Sequence, residues 1–177
     1  ECYYTHAMQA EVLQCVGVDI AKNAVQVAAK LNKNVTWIVG TGATLPVLEK
    51  SIDLCSSLFS PIPQQEILRV LKPQGYLMVV TPAQGHLYAM REALFEEVNP
   101  HEPHKFIQQL EAEFDLVSEQ VIDAPLTLSQ QDLKHLIAMT PYAYRAKVER
   151  RQALEQHDTF AVNAQFQLYL FQKKSAL

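Results

Sequence analysis

Short apolar runs and amphipathic stretches alternate along the first half of the chain. Residues 15–20 form an apolar run that stops on the carboxylate of Asp19, which is typical of a buried parallel strand. Residues 21–32 combine strong helix formers with apolar side chains at three- and four-residue spacing, which predicts a helix. The same criteria predict strands at 35–39, 52–59 and 76–80, a turn at 40–46, and a helix at 64–71 that ends at Lys72, Pro73, Gln74 and Gly75.

The second half of the chain has longer polar stretches and a different final strand. Helices are predicted from about 87 to 98, in a short segment ending near 114, at 129–139 with Ser129 as the N-cap, and at 147–157. A strand is predicted at 116–126. Residues 160–171 alternate apolar and polar side chains, which indicates an antiparallel strand with one wetter face.

The predicted fold class is α/β. Strand and helix alternate in the first half, and right-handed crossovers turn that order into a mostly parallel twisted sheet with helices on both faces. The final alternating segment adds a terminal antiparallel strand. With 177 residues, the chain is long enough to bury a sizeable core, so we expect one domain spanning residues 1–177.

Composition and charge narrow the class of protein. The content of 49% hydrophobic and 19% charged residues is typical of a globular protein. The sequence contains no apolar run of the roughly 20 residues that a membrane helix needs, and it does not open with the pattern of a signal peptide. Cys2, Cys15 and Cys55 are odd in number and unclustered, which predicts free thiols and a cytoplasmic location. The net charge of -4 offers no general attraction to nucleic acid, so any RNA contact must be local or come from elsewhere.

The chain opens without the strand and glycine-rich turn that begin most nucleotide-binding sheets. We therefore expect the sequence to be a fragment or to lack its first strand. Asp19 is the first candidate for a ligand contact, because the carboxyl ends of strands border the ligand crevice and a carboxylate can accept hydrogen bonds from both hydroxyls of a ribose. The alternative is an N-cap for the helix at Ala21, and the residue alone leaves both open.

Several motifs together resemble a known class of enzyme. Asp19 after its strand, the Leu45-Pro46 turn, the helix end at 71–75 and the final antiparallel strand resemble the Rossmann-like S-adenosylmethionine-dependent methyltransferases over essentially the whole chain. More specific similarity to the bacterial 23S ribosomal RNA guanine-N1 methyltransferases comes from the sequence at residues 1–6, Thr81-Pro82 with His86-Leu87, Glu97-Val98 with His101 and His104, and the segment Met139, Thr140, Pro141, Tyr142, Ala143, Tyr144, Arg145.

The chain also departs from that family in three places. Family members carry an amino-terminal zinc-binding module and a glycine-rich first loop, of which this sequence has only the trailing Glu1. Thr41 occupies a position where family members usually have an acidic residue. The usual Gly-Gly pair at the helix end is Gln74-Gly75 in this chain.

The resemblance implies methyl transfer from S-adenosylmethionine to N1 of a guanine. The implied partner is 23S ribosomal RNA, and no membrane association is implied. The resemblance is also compatible with a homodimer. Zinc is implied only in the amino-terminal module of the family, with no metal site in this chain. The implied cofactor-binding residues are Glu1, Tyr4, Thr5, Asp19, Ile20, Thr41, Gly42, Leu45 and His86.

Guanine N1 carries a proton, so its methylation needs a base or a group that stabilises the oxygen, besides alignment of donor and acceptor. The segment 60–63, where methyltransferases place the acceptor, offers neither a carboxylate nor an imidazole. The nearest titratable candidates for a catalytic role are Glu97, His101 and His104. A zinc site at the two histidines is an alternative that lacks a nearby cysteine to complete four ligands.

One basic and aromatic cluster lies near the carboxyl end. Aromatic rings stack on unpaired bases and arginine contacts phosphate, so the cluster predicts RNA binding, with a solvated helix face as the alternative. A methyltransferase of small molecules fits the acidic net charge better, and a dehydrogenase or a noncatalytic nucleotide-binding domain are further alternatives. The cluster consists of Tyr142, Tyr144, Arg145, Lys147, Arg150 and Arg151.

Overall fold

The computed structural model describes residues 14–175, which contain six strands and seven helices. The strands are β1 Val16–Asp19, β2 Thr36–Val39, β3 Ile52–Leu58, β4 Leu71–Pro82, β5 Phe114–Ser129 and β6 Thr159–Lys173. The helices are α1 Lys22–Leu31, α2 Gln64–Val70, α3 Tyr88–Leu94, α4 Lys105–Leu110, α5 Gln130–Met139, α6 Tyr142–Arg145 and α7 Val148–Leu154.

The strands form two sheets in two compact units. β1 and β2 pair in parallel in the first unit, which among the described residues comprises 14–55, 61–75 and Ser175. The four-stranded sheet has the order β3-β4-β6-β5, and β6 runs antiparallel to both β4 and β5 within the second unit, residues 56–60 and 76–174. The predicted terminal antiparallel strand is therefore confirmed.

The first unit has a close contact between its two strands. Gly17 in β1 lies against the ring of Trp37 in β2, which occupies the space that a Cβ atom at position 17 would need. The indole nitrogen of Trp37 donates to the carbonyl of Asn32 at 3.0 Å. A glycine is therefore required here by close packing, and this packing holds the strand that ends at Asp19.

The second unit buries side chains on both faces of β6. Val162 and Ala164 pack against a cluster of apolar side chains from α3, α5 and α7, whereas Tyr169 and Phe171 point to the opposite face and are fully buried. The prediction of one wetter face is wrong for the second half of β6, where Gln167 is buried as well. Each face is covered over only part of the strand, and Tyr169 and Phe171 lie beside Val79 and Leu77 of β4.

Several predicted boundaries also differ from the structure. The helix at 64–71 passes directly into β4, so the expected helix end lies inside a strand, with Gln74 in a left-handed conformation (φ 58°). The helix expected at 87–98 begins after Leu87 and ends at Leu94, and Phe114 opens β5. The α6 helix was not expected. The Ser129 cap is confirmed, because its hydroxyl accepts from the amide of Asp132.

None of the helices between residues 14 and 175 has the length and apolar character needed to cross a membrane.

Candidate functional site

Asp19 lies at the carboxyl end of β1 with an exposed side chain. Its Oδ1 atom accepts a hydrogen bond of 2.7 Å from the amide of Ala21, which precedes α1. This bond closes a turn before the helix, and the N-cap alternative is wrong, because Ala21 is the N-cap of α1 and no side chain of the described residues caps that helix. No hydrogen bond to Oδ2 occurs within residues 14–175. One carboxylate oxygen therefore stabilises the turn and the other can accept from a ligand.

The predicted adenine-side residues share an edge with Asp19. Asp19 pairs with Val39, and the amide of Gly40 donates to the Asp19 carbonyl at 3.0 Å, so the next residue, Thr41, follows at the same end of the two-stranded sheet. Ile20 is 77% exposed although it is a large apolar residue. An exposed carboxylate, an exposed apolar side chain and a loop with bare glycine backbone fit the ribose and adenine of S-adenosylmethionine.

An ion pair on α2 anchors the loop that follows β2. Glu66 Oε1 accepts from the amide of Leu45 at 2.8 Å, and the guanidinium of Arg69 donates to the carbonyls of Leu45 and Val47 at 3.0 and 2.9 Å. Glu66 and Arg69 also bind each other at 2.6 Å. The sequence analysis missed this pair, although an acid and an arginine three residues apart on a helix are a recognisable signal.

We expect the Glu66→Gln variant to loosen this loop. The hydrogen bond from Arg69, followed by the one from the Leu45 amide, lowers the pKa of Glu66 below its ordinary value of 4.5. The anchoring is therefore complete above about pH 4.5 and is lost as the pH falls through the lowered pKa. Hydrogen exchange at the Leu45 amide should be faster in the variant at neutral pH. Glu149→Gln, an exposed carboxylate on α7, is the matched control, and equal exchange in both variants contradicts the anchoring role.

The remaining predicted cofactor residues are Glu1, Tyr4, Thr5 and His86. Glu1, Tyr4 and Thr5 fall outside the described residues. His86 lies in the second unit, in the loop after β4, where its Nδ1 atom is 2.8 Å from the carbonyl oxygen of Gln165. Its cofactor role stays a prediction.

The three predicted catalytic residues have separate surroundings. Glu97 is exposed and lines a pocket of about 340 Å³ with Arg145 and Lys147. His101 is partly buried beside His86, and its pKa is lowered to about 4, first by burial and then by the charge of Arg91. The Nδ1 atom of His104 lies 3.4 Å from the hydroxyl of Tyr169.

No hydrogen bond, ion pair or ring contact among the described residues joins any two of Glu97, His101 and His104. Within residues 14–175, no group of three or more His, Cys, Asp or Glu side chains is placed to hold a metal ion. The histidines therefore have to be considered one by one, each with its own neighbours.

Most cations of the basic and aromatic cluster are already engaged. Lys147 binds Glu96 at 2.8 Å, and Arg150 lies 3.9 Å from the same carboxylate. Arg151 lies 3.5 Å from Glu155 and donates to the Ala143 carbonyl at 3.2 Å, while the ring of Tyr142 packs on Phe95. Tyr144 is 91% exposed and Arg145 is exposed, so these two residues are the part of the cluster most available to RNA.

Comparisons with known proteins find similarity to methyltransferases in sequence and in fold. Residues 1–79 match the family Methyltransf_11, described as a methyltransferase domain. The chain is 31% identical over 129 residues to the 23S rRNA (guanine(748)-N(1))-methyltransferase of Streptomyces fradiae, an alignment that covers 72% of this chain and 46% of that protein. It is 27% identical over 161 residues to YxjB of Bacillus subtilis, named as a candidate 23S rRNA (guanine-N(1)-)-methyltransferase, covering 88% of this chain and 55% of YxjB.

The structure also superposes on a solved methyltransferase fold. A candidate methyltransferase from Bacillus halodurans C-125 matches with a TM-score of 0.66 at 16% identity, covering 98% of this chain and 89% of the other. The chain spans about half the length of the curated relatives that it matches. These findings confirm the predicted fold class and the resemblance: the chain has the Rossmann-like methyltransferase fold and is similar in sequence to proteins named as 23S rRNA guanine-N1 methyltransferases.

Proposed function

We propose that the protein transfers a methyl group from S-adenosylmethionine to N1 of a guanine in 23S ribosomal RNA. The observation that carries this proposal is the sequence similarity to the Streptomyces fradiae enzyme, which is named for that activity. The exposed carboxylate of Asp19 and the edge it shares with Thr41 and Gly42 support the choice of methyl donor.

Asp19 Oδ2 accepts from the ribose hydroxyls, and Ile20 covers one face of the adenine. The backbone of Thr41 and Gly42 approaches the adenine edge, and the anchored Leu45 keeps that loop in place. S-adenosylmethionine supplies the methyl group as an electrophilic carbon on a sulfonium. The protein's own contribution is to bind, to orient donor and acceptor, and to exclude water.

A methyltransferase of small molecules is the second candidate. The net charge is -4, and three of the four cations in the predicted RNA cluster lie within 4 Å of glutamate side chains. Both features reduce attraction to phosphate. If RNA is the substrate, additional affinity has to come from outside the basic and aromatic cluster.

The RNA role of the exposed pair can be tested directly. Replacing Tyr144 with Ala removes a stacking surface worth about 1 to 3 kcal/mol per base, and replacing Arg145 with Ala lowers the slope of log Kd against log salt by about 0.7. Binding of an rRNA hairpin should therefore weaken in both variants, and the salt dependence should flatten only in the second. Lys30→Ala, on the surface of α1, is the control. Unchanged affinity across a salt series indicates a solvated helix face.

The function itself is tested on the protein in its full natural length. Purified protein is incubated with 23S rRNA and S-adenosylmethionine labelled in the methyl group, and the RNA is digested and analysed by mass spectrometry for 1-methylguanine. The expected result is 1-methylguanine at a single position. Labelled small molecules without labelled RNA favour the second candidate, and failure to bind S-adenosylmethionine excludes both.

A further inference from the structure

Aromatic rings and imidazoles cluster at the carboxyl ends of β3 and β4. Phe59 follows β3 directly, and its amide donates to the Val80 carbonyl of β4 at 2.9 Å. The Phe59 side chain is 58% exposed and meets the ring of Phe166 edge to face, with 5.5 Å between ring centroids. The ring of His86 lies 5.0 Å from the same Phe166. Open α/β sheets bind ligands at the carboxyl ends of their strands, so a ligand is expected here.

The backbone on both sides of this cluster is strained. Phe59 has φ 54° and Leu87 has φ 51°, in the left-handed region that residues with a side chain rarely adopt. Such residues persist where the surrounding structure forces them, and they are concentrated at ligand and active sites. Phe59 and Leu87, two such residues, therefore lie on either side of the same cluster.

The hydrogen bonds of the loop determine which nitrogen of His86 carries a proton. The carbonyl oxygen of Gln165 accepts from the amide of Ala83 at 3.0 Å and lies 2.8 Å from His86 Nδ1. A carbonyl oxygen can only accept, so Nδ1 is protonated and Nε2 keeps its lone pair. No hydrogen bond to Nε2 occurs in the described part of the chain. The loop passes close to the end of the Gln165 side chain at Gly85.

The surroundings of His86 keep its ring uncharged at neutral pH. Burial lowers the pKa of His86, the hydrogen bond to the Gln165 carbonyl acts in the opposite direction, and the charge of Arg91 on α3 lowers the pKa further. The neighbouring His101 stays uncharged as well. The carboxylate of Asp123 in β5 does not bond to His86 but accepts a hydrogen bond of 3.2 Å from the side-chain amide of Gln165. The Nε2 lone pair is therefore available to accept a proton.

We propose that Phe59 holds the acceptor base by stacking and that His86 Nε2 is the catalytic base that takes the proton from guanine N1. This proposal rests on the guanine-N1 activity proposed above. The N1 electron pair forms the bond to the methyl carbon, the carbon–sulfur bond breaks and its electrons return to sulfur. The sulfonium loses its positive charge, and the imidazole becomes positively charged because it takes the N1 proton. The imidazolium then releases that proton to water.

His101 is less suited to this role, although it is one of the sequence candidates. Its Nε2 atom is enclosed and has no hydrogen-bond partner within residues 14–175, so a base ring cannot approach it directly. The centroid of its ring lies 6.2 Å from that of His86.

The His86→Asn variant separates the two nitrogens. The Asn amide can still donate to the Gln165 carbonyl, as Nδ1 does, but it offers no basic nitrogen at the position of Nε2. We expect the single-turnover methylation rate, measured at saturating S-adenosylmethionine and RNA, to fall by about 100- to 10,000-fold at neutral pH. The defect should shrink as the pH rises from about 7 to about 9, because hydroxide then removes the N1 proton without the enzyme.

His135→Asn, on the surface of α5, is the matched control and keeps the wild-type rate. Phe59→Leu is expected to weaken RNA binding while keeping the pH profile of the wild type. A His86→Asn defect of the same size at every pH indicates a positioning role and overturns the proposal, as does an unchanged rate. A wild-type protein that methylates no guanine instead overturns the proposed function, and this role with it.

Discussion

Replacing Asp19 with Ala is expected to weaken the binding of S-adenosylmethionine by about 2 to 4 kcal/mol, or roughly 30- to 700-fold in Kd. The carboxylate makes two charge-assisted hydrogen bonds to the ribose in the proposed complex, each worth about 1.5 to 3 kcal/mol, and the two are not fully additive. Calorimetry on the protein in its full natural length measures the change. A Kd equal to that of the wild type restricts Asp19 to the turn that it closes with Ala21.

The Asp19→Asn variant is the matched control for that turn. Its side-chain oxygen can still accept from the Ala21 amide, so the entry to α1 is kept, but the charge at the second oxygen is lost. We expect a loss of affinity between those of the wild type and the Ala variant. If Asn restores the full affinity, the effect of the Ala substitution comes from the helix entry alone.

The parts of the fold that were predictable have a strong local signal. The run that ends at Asp19, the helix formers of α1 and the alternation of β6 each determine a local conformation within a few residues. The order of these elements then restricts the topology, because crossovers between parallel strands are right-handed. The alternation nevertheless failed to identify the buried face beyond Ala164, since burial depends on which elements cover each face.

The site depended on contacts that no local pattern contains. Lys147 and Glu96 are 51 residues apart in sequence. Their ion pair engages one of the cations that the sequence predicted to contact RNA. His86 and Gln165 are 79 residues apart, and only their hydrogen bond shows which nitrogen of the ring is free. Sequence similarity selected the histidines of this region as functional candidates, and that selection stays a prediction. The assignment of a proton acceptor requires the tautomer and the neighbouring charges.

Arg91 is the charged neighbour that acts on both His86 and His101. It is buried, and its guanidinium donates to the carbonyl oxygens of His86 and Asn99, which fixes the loop after β4 to the segment after α3. Its positive charge lowers the pKa of both His86 and His101. One side chain therefore positions the proposed base and keeps it uncharged.

We expect the Arg91→Met variant to be less stable by about 2 to 3 kcal/mol. Two hydrogen bonds from a charged donor are lost and carbonyl groups are left without a partner, and removal of the buried charge offsets only part of that loss. Urea unfolding measures the difference. Arg91→Lys, which keeps the charge but can reach fewer acceptors, should recover part of the stability. A Met variant as stable as the wild type contradicts the structural role of the guanidinium.

The same variant should change how stability depends on pH. Folded His101 has a pKa of about 4 against an ordinary value of 6.5, so the unfolded chain binds a proton that the folded protein does not, and stability falls as the pH drops from 6.5 towards 4. Without the charge of Arg91, the His101 pKa rises and this fall becomes shallower. Titration of the histidine ring protons by NMR, alongside unfolding between pH 4 and about pH 7, tests both parts. An unchanged His101 pKa shows that burial alone, and not Arg91, keeps the ring uncharged.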